Sequence, residues 1–463
     1  MLNRSGTTRA AVSTLLAFGL ATALTACGTG SGGNNGGDNA EPADSGSVTW
    51  WGWTPDTPVA EAYIAAFNQD YPDIEVTYKN YENVDYRNAL TPALDSGEGP
   101  DVYNLAPAGG SPDTWGAYAL DMAPFAEETL GDGWQGKFGE GYLDQLSNSE
   151  GTLVALPLGG MTAGFLWYNN DIFEQAGATV PTDYATWQDA CQKIQAIGKV
   201  CFTMGAGGQD TFPTELFHAI ANSVDPDWFG EAAVGDAEWS DPQGVEVLEI
   251  IKRMQSDGII SANALDGPQY PLANEEFMKG EAAMVQMGYW YAQYSGLESA
   301  TVAMESAGVS NPEPFVQLPM EFPDVAGQGN GSQVFGECDY GLAINADSKN
   351  VAAAKTFVRW MTMTEAGQQK VANAIDLIPG LKGVEPDWSA IALVDQARQE
   401  EAINDLLATS SAATQTRQWQ TTEPTLLAMV VAIQEVLDPT INKDIESILE
   451  TFQASSVASD VGR

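Results

Sequence analysis

Residues 47–80 read SVTWWGWTPDTPVAEAYIAAFNQDYPDIEVTYKN. Ser47 to Trp51 is a short β-type run. Thr57-Pro58 follows as a helix start, because proline at the first helical turn loses no hydrogen bond. Val59, Tyr63 and Phe67 then share one helical face. Ile74 to Tyr78 alternates apolar and polar residues and reads as a second strand. Working outward, Asp101 to Leu105 is a third strand, after the turn-rich Ser96-Gly97-Glu98-Gly99-Pro100. Strand, helix and strand in this order predict an α/β chain with substantially parallel sheets. Leu153 to Leu158 and Phe165 to Tyr168 are further strands. Thr186, with Asp189 three residues on, suggests a capping box opening a helix that carries Trp187 and Ile194. Val351, Ala354, Val358 and Met361 mark a later helix. Ile445, Ile448, Leu449 and Phe452 mark the last.

The whole chain has 463 residues, too many for one ordinary core, so two or three domains are expected. Nineteen Lys and Arg stand against 63 Asp and Glu, a net charge of −44. Such a body repels phosphate backbones and anionic lipid heads, so nucleic acid is excluded as a partner. A single histidine, His218, sits in an apolar helical setting and reads as structural. No metal-ligand spacing is present, and neither a metal nor a cofactor is expected.

The amino terminus reads as an address. Arg4 and Arg9 precede an apolar run from Ala10 to Ala26, which is signal-sized and short for a membrane span. It ends in Leu24-Thr25-Ala26-Cys27, which resembles a bacterial lipobox. That resemblance implies cleavage of a 1–26 lipoprotein signal peptide and lipid attachment at Cys27. Cleavage would bring the charge to −46, since it removes Arg4 and Arg9 and no acid. Residues 28–47 are rich in glycine, hold no large apolar side chain, and read as a tether reaching about 25 Å. Residues 27–47 are therefore taken as anchor and tether, with the body on the extracellular face of the membrane. Cys191 and Cys201 could form a disulfide or remain two buried thiols; Cys338 reads as buried.

Trp50, Trp51 and Trp53 crowd the end of the first strand. Alternation puts Trp51 and Trp53 on one face, which is either core or a platform on which a sugar ring could lie. Asp101, Glu337, Asp339 and Asp376 are the acids that could form a carboxylate pair for glycoside hydrolysis, which requires a spatial separation that spacing along the chain does not show.

Several stretches, in order, resemble the extracellular solute-binding proteins of bacterial ABC transporters, in the carbohydrate-binding group that includes maltose-binding proteins. They are Val48 to Trp51, Phe67 to Val76, Ser96 to Val102, Ala155 to Gly159, Trp167 to Asp171, Pro181 to Trp187, Phe277 to Trp290 and Tyr340 to Asn345. The resemblance implies a two-lobed α/β fold with discontinuous domains, a hinge and a central cleft. Lobe one would span 48–157 plus 319–372, and lobe two 158–318 plus 373–463. Gly159, Gly160 and Met161 would lie near the first crossing between lobes, and Leu318-Pro319 near the second. The ligand-binding positions implied are Trp51, Trp53, Tyr103, Asn104, Met161, Tyr289, Trp290, Glu337, Asp339 and Asp376. The stretch Glu337-Cys338-Asp339 departs from the family pattern at a place where relatives carry a glycine pair.

The function implied is capture of a neutral sugar or oligosaccharide and its delivery to a membrane permease by a monomer that is not an enzyme. A binding protein for a peptide or polyol, and a secreted glycoside hydrolase, are the competing readings.

Overall fold

A computed structural model describes residues 40–108, 111–330 and 333–460. Cys27, the signal segment and most of the tether lie outside the described residues. Among those described, no helix is long and apolar enough to cross a membrane.

Two sheets organise the body. Ten strands are named in chain order: β1 (Ser45–Gly52), β2 (Asp73–Asn80), β3 (Val102–Leu105), β4 (Leu156–Ala163), β5 (Phe165–Asn169), β6 (Val200–Thr203), β7 (Ala282–Val285), β8 (Gln317–Glu321), β9 (Phe335–Ile344) and β10 (Ile378–Pro379). The larger sheet has the order β10-β4-β9-β3-β1-β2, the smaller β6-β7-β5-β8. β1 pairs in parallel with both β2 and β3, as the opening strand–helix–strand pattern requires. The other pairs of the larger sheet are antiparallel: β9, which returns to it from the second lobe, and β10, which follows on the same sheet, run the opposite way to their neighbours. The smaller sheet is mixed as well: β6 and β7 are parallel, while β5 runs against both β7 and β8. Apolar periodicity carries no strand direction, so the expectation of substantially parallel sheets holds for β1, β2 and β3 and for β6 with β7, while the remaining pairs are antiparallel.

Each sheet has its own core. The larger sheet buries Trp50, Phe67, Tyr103, Leu342 and Phe357. Helix Thr57–Asp70 contributes Tyr63 and Phe67, and helix Val351–Met363 contributes Phe357 and Met361. One face of the smaller sheet packs on Trp187, Phe217, Ile251 and Phe452. Its other face packs on Trp167, Phe277, Tyr291 and Ile403.

The implied lobe boundaries shift. β4 stays on the larger sheet through Ala163, and the chain crosses at Gly164, whose φ of +95° favours glycine. Gly159 and Gly160 mark a register shift inside β4, not the crossing. Leu318 and Pro319 lie inside β8, so the second crossing follows Glu321. β10 pairs with β4, which keeps the chain on the larger sheet past residue 372. Glycine and proline signalled irregular backbone at these places, and irregular backbone also means a bulge or a strand interior.

Helix Tyr184–Ala196 is capped by Asp183, whose side chain accepts from Thr186 N while the Thr186 hydroxyl is reached by Asp183 N. The capping box is thus Asp183 with Thr186, one turn earlier than Thr186 with Asp189. Cys191 on this helix is bonded to Cys201 on β6, with Cα atoms 5.0 Å apart. Cys338 is a buried thiol against the Gly159 carbonyl.

The Cys191–Cys201 bond closes a short loop, and loop-closure entropy makes its removal cost about 2–3 kcal/mol. The double variant Cys191→Ser/Cys201→Ser is expected to lose that much stability in urea unfolding, with an m-value equal to or above that of the parent because its unfolded chain is less constrained. An unchanged midpoint would contradict this.

Candidate functional site

β9 enters the larger sheet between β3 and β4 and sends alternate side chains to opposite faces. Cys338 and Tyr340 point into the core of lobe one, while Glu337 and Asp339 point the other way, toward Arg417. Arg417 lies in the loop between helices Gln396–Ser411 and Glu423–Leu437. Its Nε donates to Glu215 Oε1 at 2.5 Å, and its guanidinium lies 5.3 Å from the Trp290 ring and 5.7 Å from Phe212. Glu337 and Asp339 add their charge and hold this arginine firmly protonated despite its burial. Glu337 Oε2 accepts from Gln418 N at 2.9 Å and Trp419 N at 2.8 Å, so it fastens β9 to the arginine loop.

Trp290 follows β7 in a 3₁₀ turn, Tyr289–Ser295. Its ring folds back over Gly288: a Cβ there would lie 2.1 Å from the indole, so only glycine fits beneath it. The indole Nε1 donates to Tyr270 Oη at 3.0 Å, and Phe212 lies beside both rings. The indole is half-buried and keeps part of its surface accessible. From the same turn, Tyr294 reaches across to lobe one and donates to Asp56 Oδ2 at 3.1 Å.

Asp376 sits between the lobes. Ile375 before it ends helix Glu365–Ala374 with φ of +49°, an uncommon conformation for a β-branched residue, and is buried in the lobe-two cluster. Asp376 itself is 2% exposed. Tyr63 donates to its Oδ1 at 3.2 Å. Desolvation pushes its carboxyl up to about 7, with smaller contributions from the charges of Asp339 and Asp56. Asp339 is half-buried and pushed up to about 6, again by desolvation first. Asp56 keeps an accessible side chain, yet desolvation still raises it above the ordinary value. The Tyr340 hydroxyl is fully buried, has no hydrogen-bond partner among the described residues, and feels the charges of Asp376 and Asp339. Trp53 packs edge-on against Tyr340 and Tyr86. The arrangement is an aromatic and carboxyl-lined contact region between two α/β lobes. Among the described residues it holds no cluster of metal-ligating side chains.

The model of the bacterial extracellular solute-binding protein family matches residues 51–368, well over half of the chain. The chain belongs to this family. Among curated relatives, a probable sugar-binding periplasmic protein of Rhizobium meliloti is 24% identical over 193 residues, 40% of this chain and 45% of that protein. The chain thus matches less than half the length of the curated relatives it resembles. Among solved structures, a chitin oligosaccharide binding protein aligns at a TM-score of 0.66 and 20% identity, covering 89% of this chain and 99% of that one. The GacH receptor of Streptomyces glaucescens, solved unliganded and with acarbose, aligns at 0.65 and 19%, covering 89% and 97%. These structures share the two-lobed fold.

Of the sequence-predicted positions of this solute-binding protein, Trp53, Trp290, Glu337, Asp339 and Asp376 are brought to the contact region. Tyr289 is buried in lobe two but feels the Asp376 charge. Three others face inward. Tyr103 is core, its hydroxyl donating to the Trp115 carbonyl at 2.8 Å. Asn104 is buried and spends its amide on Trp50 Nε1 and the Thr54 carbonyl, so it shapes the turn carrying Trp53. Met161 is buried in β4 opposite Glu337. Trp51, on β1 beside the edge strand β2, leans on Tyr81 under the Lys79 ammonium. Trp50 is core, against Tyr78 and Phe357. Asp101 is structural: it accepts from Thr49, Ser348 and Asn350. His218 is clamped between the Phe229 and Phe335 rings, and burial depresses it to about 3, so it stays neutral.

Sequence reading missed Asp56, Tyr63, Phe212, Tyr270, Tyr294 and Arg417. Arg417 left one signal, a rare cation beside Trp419 in an acid-rich chain.

A carboxyl ionising near 3.8 unfolded and about 7 folded favours the fold in its protonated form. Its contribution is complete below pH 4 and is lost as pH rises through 7, on the order of 4 kcal/mol at about 1.36 per unit. Asp376→Asn is therefore expected to gain stability over the wild type progressively from pH 4 to pH 8 in ligand-free melts. A pH-independent difference would contradict the burial of that carboxyl.

Proposed function

We propose that this chain is the capture component of an ABC-type sugar importer. It closes its two lobes on a sugar or oligosaccharide that bears no anionic group. The observation that carries this reading is the half-buried Trp290 indole, flanked by Tyr270 and Arg417, in the same contact region as Asp339 and Asp376. Apolar C–H faces of a pyranose stack on an indole, while its hydroxyls require closely placed carboxylates and phenols. The names of the curated relatives and of the aligned structures point to the same ligand class. The excess of acid disfavours phosphate, sulfate or sialylated ligands.

Closure follows from contacts that ligand makes with both lobes at once, which shifts an open–closed equilibrium. The closed form then delivers the sugar, unaltered, to a membrane permease. The protein acts as a monomer, held on the extracellular face by a lipid at Cys27 with the Gly-rich segment as tether.

A glycan panel screened by thermal shift and tryptophan fluorescence is expected to give at least one hit with a raised Tm. Trp290→Ala is expected to fold normally and lose about tenfold in affinity for that hit, about 1.4 kcal/mol, near the upper end of what an aromatic stacking contact supplies. Unchanged affinity would remove Trp290 from the site, and release of shorter sugars on prolonged incubation would establish hydrolysis instead.

A further inference from the structure

The segment 410–419 is stitched to the crossing between the two sheets at three places. The Thr162 and Ser410 hydroxyls are 2.7 Å apart. Gly336 N donates to the Gln415 carbonyl at 2.8 Å. Glu337 Oε2 accepts from Gln418 N at 2.9 Å and from Trp419 N at 2.8 Å. Thr162, Gly336 and Glu337 belong to the last rungs of the β4–β9 pair, where Thr162 lies opposite Gly336 and Met161 opposite Glu337. One side chain of the stitched segment reaches into lobe two. Arg417 Nε donates at 2.5 Å to Glu215 Oε1, on helix Pro213–Val224. The Glu215 side chain is sealed from solvent, so it keeps its cation close: either charge alone would be buried without compensation. From there the guanidinium lies over the Trp290 ring, 5.3 Å from its centroid, with Phe212 on the same indole at 5.9 Å.

From these contacts we propose that Glu337 and Arg417 are positioning residues for Trp290. Glu337 holds the segment to the crossing, the segment places the guanidinium, and the guanidinium sets the indole. The ring offered to a sugar is thereby tied to the strand pair that carries the chain between the lobes. The functional part of this rests on the carbohydrate reading; the positioning itself does not. A carboxylate that accepts two successive amides makes charge-assisted bonds, which suit a fixed anchor. The indole is otherwise held by one hydrogen bond, from its Nε1 to Tyr270 Oη, about which a ring can rock. A planar guanidinium over the ring removes that freedom, and an ammonium, being compact and strongly hydrated, does so less well.

The test is fluorine NMR of the full chain labelled with 5-fluorotryptophan, without ligand. The Trp290 and Trp419 signals are identified by their loss in Trp290→Phe and Trp419→Phe. Glu337→Leu removes the acceptor at similar volume, and Arg417→Lys keeps the charge beside Glu215 but loses the plane. In both, confirmed as folded by circular dichroism, the Trp290 signal is expected to shift or broaden while signals other than Trp290 and Trp419 hold. Glu337→Gln, which keeps one acceptor oxygen, is expected to restore the parent signal. A Trp290 signal unchanged in both variants would overturn the proposal; should Glu337→Leu fail to fold, Arg417→Lys decides alone. Calorimetry with maltotriose, xylotriose and chitotriose then tests the consequence. Glu337→Leu is expected to weaken the best binder about fivefold, and to cost nothing further in a Trp290→Ala background. An equal loss in both backgrounds would overturn action through Trp290. Binding of none of the three would count against the carbohydrate reading, while the fluorine signals still decide the positioning.

Discussion

Strand β9 must satisfy two neighbours at once. It pairs antiparallel with β3 over Gly341 to Ile344 and with β4 over Phe335 to Leu342. That double pairing closes the larger sheet after the chain has built most of the second lobe elsewhere. It also fixes which β9 side chains meet the lobe-two loops. A slip of one residue would exchange faces, sending Tyr340 out and Asp339 into the apolar core. Glu337 adds a lock, because its carboxylate holds the Gln418 and Trp419 amides and so fixes the Arg417 loop against the strand.

The electrostatics follow from this placement. A chain with 63 acids has ample solvent to dissolve most of them in, yet a few are forced into poorly hydrated positions between the lobes. Arg417 with Glu215 offsets part of this in lobe two. Asp376 has one phenol bond, and its carboxyl rises accordingly. The αL conformation at Ile375 delivers it, with Ile375 anchored in the lobe-two cluster and Asp376 turned toward Tyr63. Strain and an awkward charge therefore sit together where the lobes meet, which is a common mark of a functional position.

Local elements were legible in the sequence because their signals are local. Helix Thr57–Asp70 begins at its proline, helix Ile445–Ser455 follows its apolar stripe, and β2 follows its alternation. Strand direction and lobe crossings were not, since β9, β10 and the break at Gly164 depend on partners hundreds of residues away. The aromatic residues separate in the folded chain. Trp50 is core and Trp51 leans on Tyr81, while Trp53 and Trp290 reach the contact region. Tyr103 and Asn104 matched a family position, but their polar atoms are spent on Trp115, Trp50 and Thr54. Tyr63, Tyr294 and Arg417 sit in ordinary helical or loop contexts, and only the folded chain gives them their partners.

On the proposed function, ligand joins the two lobes. Small-angle scattering of the full chain, with and without a saturating sugar identified by calorimetry, tests it most directly. A smaller radius of gyration is expected with sugar, with that contraction lost when Trp290 is replaced by alanine at the same sugar concentration. An identical scattering profile with sugar demonstrably bound would contradict it.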